Sequence, residues 1–200
     1  MNLSRAAVVG TTALWALAGF VLAGCAFTTG HVDLAYQPTE TAQKVATADS
    51  PPVTVQVVDR RSTQVVGQKI NGFGMKTADI VSNNDVPAVI KSALDTELSS
   101  RGFASATGGD VVVANLDNLQ NQFKVGFFSG DSIGTVQMEV IVKRPDGSIA
   151  YDRSITGQSK DWAEIFTEEN AEKQLNAAIQ DAVKNLFNDS NFIDALKKKA

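Results

Sequence analysis

Thr135-Val-Gln-Met-Glu-Val-Ile-Val-Lys143 is the most regular segment of the chain, and it runs on through Arg144-Pro-Asp-Gly147 into Ser148-Ile-Ala-Tyr-Asp-Arg-Ser-Ile-Thr156. Val136, Met138, Val140 and Val142 alternate with Thr135, Gln137, Glu139 and Lys143. A period of two puts the apolar side chains on one face of a half-buried strand. Pro145-Asp146-Gly147 has the chemistry of a turn, and Ser148–Thr156 returns as the hairpin partner with Ile149, Tyr151 and Ile155 on its apolar side. A hairpin that is apolar on one face needs a second layer to cover it.

The flanking sequence supplies that layer. After Thr167, two carboxylates (Glu168 and Glu169) stand where a helix dipole favours them. Ala171, Leu175, Ala178, Ile179, Ala182, Val183 and Leu186 then form the inner stripe of a helix ending near Asn188. Asp189 or Ser190 can cap a short final helix with Phe192, Ile193 and Leu196. Upstream, Asn84 or Asp85 caps a helix whose first turn accepts Pro87. Its apolar face is Val86, Ile90, Ala93, Leu94 and Leu98, and it stops near Gly102. Val53, Val55 and Val57 alternate in a first strand that closes at Asp59-Arg60-Arg61. Val111–Leu116 is another strand, less regular where it extends through Leu119 to Val125. Gly67, Gly72 and Gly74 break the intervening stretch into a loop with short strands at most. The expected fold is α+β: an antiparallel sheet with two main amphipathic helices packed on one face, in a single domain over residues 53–200.

The chain has 200 residues, 44% of them hydrophobic and 20% charged, with a formal net charge of −4. That length suits one domain. The charge argues against nucleic acid as a partner, because phosphate binding needs concentrated Lys and Arg. The single cysteine rules out an internal disulfide and a cysteine-rich metal site. The single histidine, His31, has no ligating neighbours and reads as a surface residue, so no metal site is expected.

The first 24 residues have a different character. Arg5 is followed by 19 uncharged residues, Ala6 to Gly24, ending in small side chains. This is the pattern of a secretory signal peptide. Leu22-Ala23-Gly24-Cys25 resembles the lipobox of bacterial lipoproteins. The resemblance implies cleavage after Gly24 and lipid attached to the Cys25 sulfur and to the new amino group. An uncleaved spanning helix is the competing reading, since 19 residues are long enough to cross a bilayer. However, Gly10, Thr11, Thr12 and Gly19 dilute the run, and no basic cluster stops it. Ala26, rather than Asp, after the cysteine implies the outer membrane and its periplasmic face under the sorting pattern of enteric-type lipoproteins. Residues 25–52 read as the acylated cysteine and a tether rich in Thr, Ala, Pro and Gln. A flexible chain over 26–52 would span roughly 30 Å and hold the domain off the bilayer. Within it, His31–Tyr36 alternates and is expected to add a strand to the sheet.

Little in the sequence points to catalysis. Gly130-Asp-Ser132-Ile-Gly134 matches the G-x-S-x-G nucleophile elbow, which requires a strand before the serine, a helix after it and a downstream histidine. Here a strand follows and His31 precedes, so Ser132 reads as a turn residue and the chain as a non-enzyme. No cofactor is expected beyond the lipid on Cys25. Arg60 and Arg61 have the chemistry to grip a carboxylate or phosphate, although Asp59 is there to pair with one of them. Phe123, Phe127 and Phe128 form a partner surface if their segment is exposed, and core if it is a hairpin.

Taken in order, several segments resemble the YajG family of Gram-negative lipoproteins. They are Cys25, Val32-Asp-Leu-Ala-Tyr-Gln-Pro38, Val53-Thr-Val-Gln-Val-Val-Asp-Arg-Arg61, and Leu94-Asp-Thr-Glu-Leu98 with Arg101-Gly-Phe103. Asn188-Asp-Ser-Asn-Phe-Ile-Asp-Ala-Leu-Lys197 completes the set. The resemblance implies location and fold, and supplies no catalytic residue. The expectation is a membrane-anchored, non-enzymatic module that binds an envelope protein or cell-wall component. The alternatives are an assembly part of an envelope or transport complex and, last, an envelope-polymer hydrolase.

Overall fold

The computed structural model describes residues 27–38, 42–71, 73–125, 130–163 and 167–198. Leu22, Ala23, Gly24, Cys25, Phe127 and Phe128 lie outside the described residues. Described strands are β1 (Gly30–Val32), β2 (Val53–Asp59), β3 (Val65–Ile70), β4 (Lys76–Ser82), β5 (Asp110–Val125), β6 (Gly130–Lys143) and β7 (Ile149–Ala163). The described helices are α1 (Val86–Ser100), α2 (Glu168–Asn188) and α3 (Ser190–Lys197).

The fold is α+β, but the expected purely antiparallel sheet with two main helices needs correction. There are two sheets, ordered β2-β5-β6-β7 and β1-β4-β3, and both are mixed. β5, β6 and β7 are antiparallel neighbours, whereas β2 runs parallel to β5 and β1 parallel to β4. Connectivity explains the difference. After β2 the chain passes through β3, β4 and α1 before returning to β5, and a crossover of that length brings a strand back in the same direction. With the two main helices, the short final helix α3 makes three described helices, and the Asp189 side chain caps it by accepting from the Asn191 N–H.

α1 packs on β2, while α2 and α3 pack on β6 and β7. Val55, Val112, Val136, Met138 and Val140 from the large sheet meet Ile90, Leu94, Leu175, Ile179 and Phe192 in one core. α2 starts at a reciprocal cap in which Asn170 N donates to Thr167 Oγ1 and Thr167 N to Asn170 Oδ1. It then rests directly on sheet backbone. A Cβ added at Gly134 would lie 2.1 Å from the Gln174 carbonyl oxygen, and one at Gly157 would lie 2.2 Å from that of Ala178.

β5 is continuous from Asp110 to Val125, with a register shift against β6 between Leu116 and Asn118. Asp117 is the extra residue of this bulge. The apolar side chains at 1% exposure or less fall on even numbers before it (Val112, Ala114, Leu116) and on an odd number after it (Leu119), with Asn121 at 2% on the same side. The loss of periodicity in the sequence is therefore a flip of parity within one strand.

The region of Gly67 and Gly74 is a β3–β4 hairpin rather than a loop. The 31–36 segment is a strand only as far as Val32, in the smaller sheet. Beyond it, the backbone is held by side chains. Asp33 N donates to Glu172 Oε2 (2.8 Å), Leu34 N to Asn84 Oδ1 (2.7 Å) and Ala35 N to Asn176 Oδ1 (2.9 Å). Val32 and Leu34 are buried in the common core. The N–H groups of Val45 and Ala46 both donate to the Arg101 carbonyl. In its described parts, the sequence before β2 thus lies against the domain.

Candidate functional site

The bulge in β5 and the neighbouring β3 strand frame a cleft of about 470 Å³. Arg61, Gln68, Lys76, Asp79, Asp117 and Gln120 are among the residues that line it. β2 pairs only with the first half of β5, so the edge of the second half is left for β3 to approach. The bulge adds Asp117 to the wall, a common use of such irregularities.

Arg61 is the dominant group. Its side chain is 4% exposed, and it grips Asp59 through Nε to Oδ1 (2.9 Å) and Nη2 to Oδ2 (2.8 Å). This fork holds the Asp59 carboxyl below its ordinary range, against the upward push of burial. Arg61 Nη1 is buried and has no hydrogen-bond partner among the described residues. Arg60 turns away and pairs with Glu139 at 2.9 Å, with about half its side chain exposed. The structure therefore separates the two arginines: Arg61 lines the cleft, and Arg60 pairs with Glu139 outside its lining. Asp59 pairs with Arg61, as the structural reading of the pair expects.

Phe123 is half-buried against the core, and with Gln68 and Lys124 it lines a smaller adjoining hollow of about 230 Å³. His31 is exposed, with Nδ1 3.1 Å from Asn83 Oδ1. Ser132 lies within β6 and is 1% exposed. Its hydroxyl accepts from Asn121 Nδ2 (2.9 Å) and faces the Asn170 carbonyl at 3.4 Å. It is on a strand rather than at a strand-to-helix turn, and its partners are an amide and a carbonyl rather than a base.

Sequence reasoning missed a second polar cluster. Glu97 is 1% exposed on α1, accepts from the Tyr36 hydroxyl (2.5 Å) and pairs with Arg101. The Arg101 guanidinium stands 4.4 Å from the centroid of Phe187. The available signal was an acid on an apolar stripe beside Leu94 and Leu98, which calls for a buried partner. At the other end of β5, Arg144 joins Asp110 Oδ2 (2.6 Å) and the Ala195 carbonyl (2.7 Å). Burial raises the Asp110 pKa, and Arg144 opposes that rise. The Asp59–Arg61 and Glu97–Arg101 pairs are local, closing the ends of β2 and α1, whereas Arg144–Asp110 ties the end of β6 to the start of β5. The cleft offers hydrogen bonds and charge to a ligand, and holds no nucleophile paired with a base.

Residues 38–197 match the model of a family described as "Uncharacterized lipoprotein". The chain belongs to that lipoprotein family. No curated protein sequence matches it. Among solved structures, it is similar to an uncharacterized protein (14% identity, TM-score 0.49), with 79% of this chain and 96% of that chain covered. It is also similar to a minor lipoprotein from Acinetobacter baumannii (11% identity, TM-score 0.43; 66% and 86% covered). A Helicobacter pylori protein, named as a homolog of a neuraminyllactose-binding hemagglutinin, aligns at 10% identity and a TM-score of 0.47, with 81% and 97% covered.

Proposed function

We propose that the protein is a lipid-anchored, periplasm-facing lipoprotein of the outer membrane whose domain is a non-enzymatic binding or accessory module. The sequence at the anchor carries the reading: the chain's single cysteine closes Leu22-Ala23-Gly24-Cys25 at the end of an uncharged run, in a chain that belongs to a lipoprotein family. Residues 1–24 would be the cleaved signal, and Ala26 favours onward sorting to the outer membrane. The order of segments from Val32 to Lys197 supports placement within the YajG group of such lipoproteins. Arg61's cleft is the proposed contact region for an envelope protein or cell-wall component. An arginine with one unused buried donor beside amide and hydroxyl groups suits a polar ligand.

Two or more acyl chains anchor stably where one alone is marginal. Cys25→Ser would lose the sulfur that carries the lipid. Fractionation of cells expressing the wild type and Cys25→Ser tests the anchor. The expected result is wild type with the outer membrane and the variant out of it. A variant that stays with the membranes speaks for a helical anchor instead.

A further inference from the structure

The described chain begins at an exposed aromatic side chain, Phe27. Among the described residues, four of the six exposed large hydrophobics are Phe27 (71% exposed), Phe73 (89%), Met75 (58%) and Trp162 (57%). The run of the strands carries all four toward the same end. β1 runs parallel to β4, so the residues before Gly30 lead back toward the start of β4 and the β3–β4 tip, where Phe73 and Met75 sit. Gly30 lies against the ion pair of Lys69 with Glu168, the first residue of α2. β3 runs beside the second half of β5 in the same direction, because Gln68 and Ile70 share a hollow with Asn121 and Lys124. The paired end of β5 and β6 at Val125 and Gly130 therefore lies in the same direction, and Trp162 pairs with Asp131 there. The other two exposed hydrophobics, Val58 and Ile149, lie away from this end.

We infer that this end of the domain is a membrane-docking face, seated on the lipid surface with Phe27, Phe73, Met75 and Trp162 in the interfacial layer. The inference rests on the proposed Cys25 anchor, and the length of the leash selects the occupant. Only five residues, Cys25 to Thr29, separate the lipid from Gly30, where the chain joins the smaller sheet. Fully extended, they span at most about 18 Å. The apolar end cannot stand far from the bilayer, and Phe27 is two residues from the anchor. Aromatic side chains settle at the boundary between headgroups and acyl chains, where their rings leave water. Three of the cations around them are in ion pairs, Lys69 with Glu168, Lys76 with Asp79 and Lys160 with Asp131, and Lys124 stands opposite Asp131 in the strand register. Docking therefore proceeds on a zwitterionic surface and does not require anionic lipid.

The chain contains its own reporter. It has two tryptophans, Trp15 and Trp162, and removal of residues 1–24 leaves Trp162 alone. The full processed protein, purified from membranes, is added to phosphatidylcholine vesicles with or without bromine on the acyl chains. The expected result is vesicle-bound protein whose Trp162 emission shifts to the blue, is quenched by the brominated lipid and is protected from acrylamide. Phe73→Ser with Met75→Ser, both at exposed positions, should leave the protein bound through its lipid while reducing the bromine quenching. Bound protein with water-exposed, unquenched Trp162 overturns the docking face and leaves the anchor standing. Bound protein with Trp162 shielded from acrylamide but insensitive to bromine overturns it as well, in favour of a second copy covering that end. Protein left in the supernatant contradicts the anchor and removes the docking face with it.

Discussion

Ser132 and Asn121, at 1% and 2% exposure, hydrogen-bond diagonally across adjacent strands, and Asn121 Oδ1 already lacks a partner among the described residues. Ser132→Ala would strand the Asn121 amide donor as well, at a cost of about 1–3 kcal/mol. Denaturant unfolding should show that loss, and the wild-type serine should take no label from a fluorophosphonate probe; labelling would restore the hydrolase reading. Asp59 makes a prediction of opposite visibility, silent until the pH falls. Its native pKa is depressed, so its stabilising contribution is fully present above the ordinary value of about 3.9 and is lost as pH drops through the native value. Asp59→Asn should therefore be less stable than wild type near neutrality, with the gap closing in acid. A gap that is independent of pH would show that the Arg61 pair contributes nothing through charge.

At the scale of elements, the contact between α2 and the large sheet depends on Gly134 and Gly157. Gly134→Ala would drive a methyl group into the Gln174 carbonyl, and overpacking of this kind costs about 1–3 kcal/mol, occasionally more. Thermal unfolding should fall accordingly; an unchanged midpoint would mean that α2 slides on the sheet without penalty. The elements that carry this contact were legible. The β6–β7 hairpin alternates cleanly, and α2 begins after Thr167 and ends at Asn188, where its carboxylates and stripe predict. α1 likewise falls between Asp85 and Arg101. Other parts were hidden for physical reasons. Asp117 flips the parity of β5, so one strand resembles a strand followed by irregular chain. The Leu34–Tyr36 segment is fixed by Asn84, Glu97 and Asn176, partners 50 to 141 residues away, and no local period can reveal them. The cleft beside Arg61 depends on that same bulge and on β3, which glycines disguise as a loop.

For the whole molecule, the controlling length is that of the chain between lipid and domain. A 27-residue flexible tether would let the domain stand off the membrane by roughly 30 Å. Contacts from Gly30 onward reduce the proposed leash to five residues, which turns the apolar end toward the bilayer. Arg61's cleft lies between β3 and the Asp117 bulge of β5, and in the proposed function it is the region a periplasmic partner would contact. Arg60, paired with Glu139, is not among the residues that line it. Among the described residues, no helix is long and apolar enough to cross a membrane. The attachment proposed here is the lipid on Cys25. Intact mass analysis of the protein purified from its native membrane tests that directly. The account predicts a 176-residue chain beginning at Cys25 and heavier than its sequence by a diacylglyceryl group and an amide-linked acyl chain. An unmodified chain that retains Met1 would contradict it.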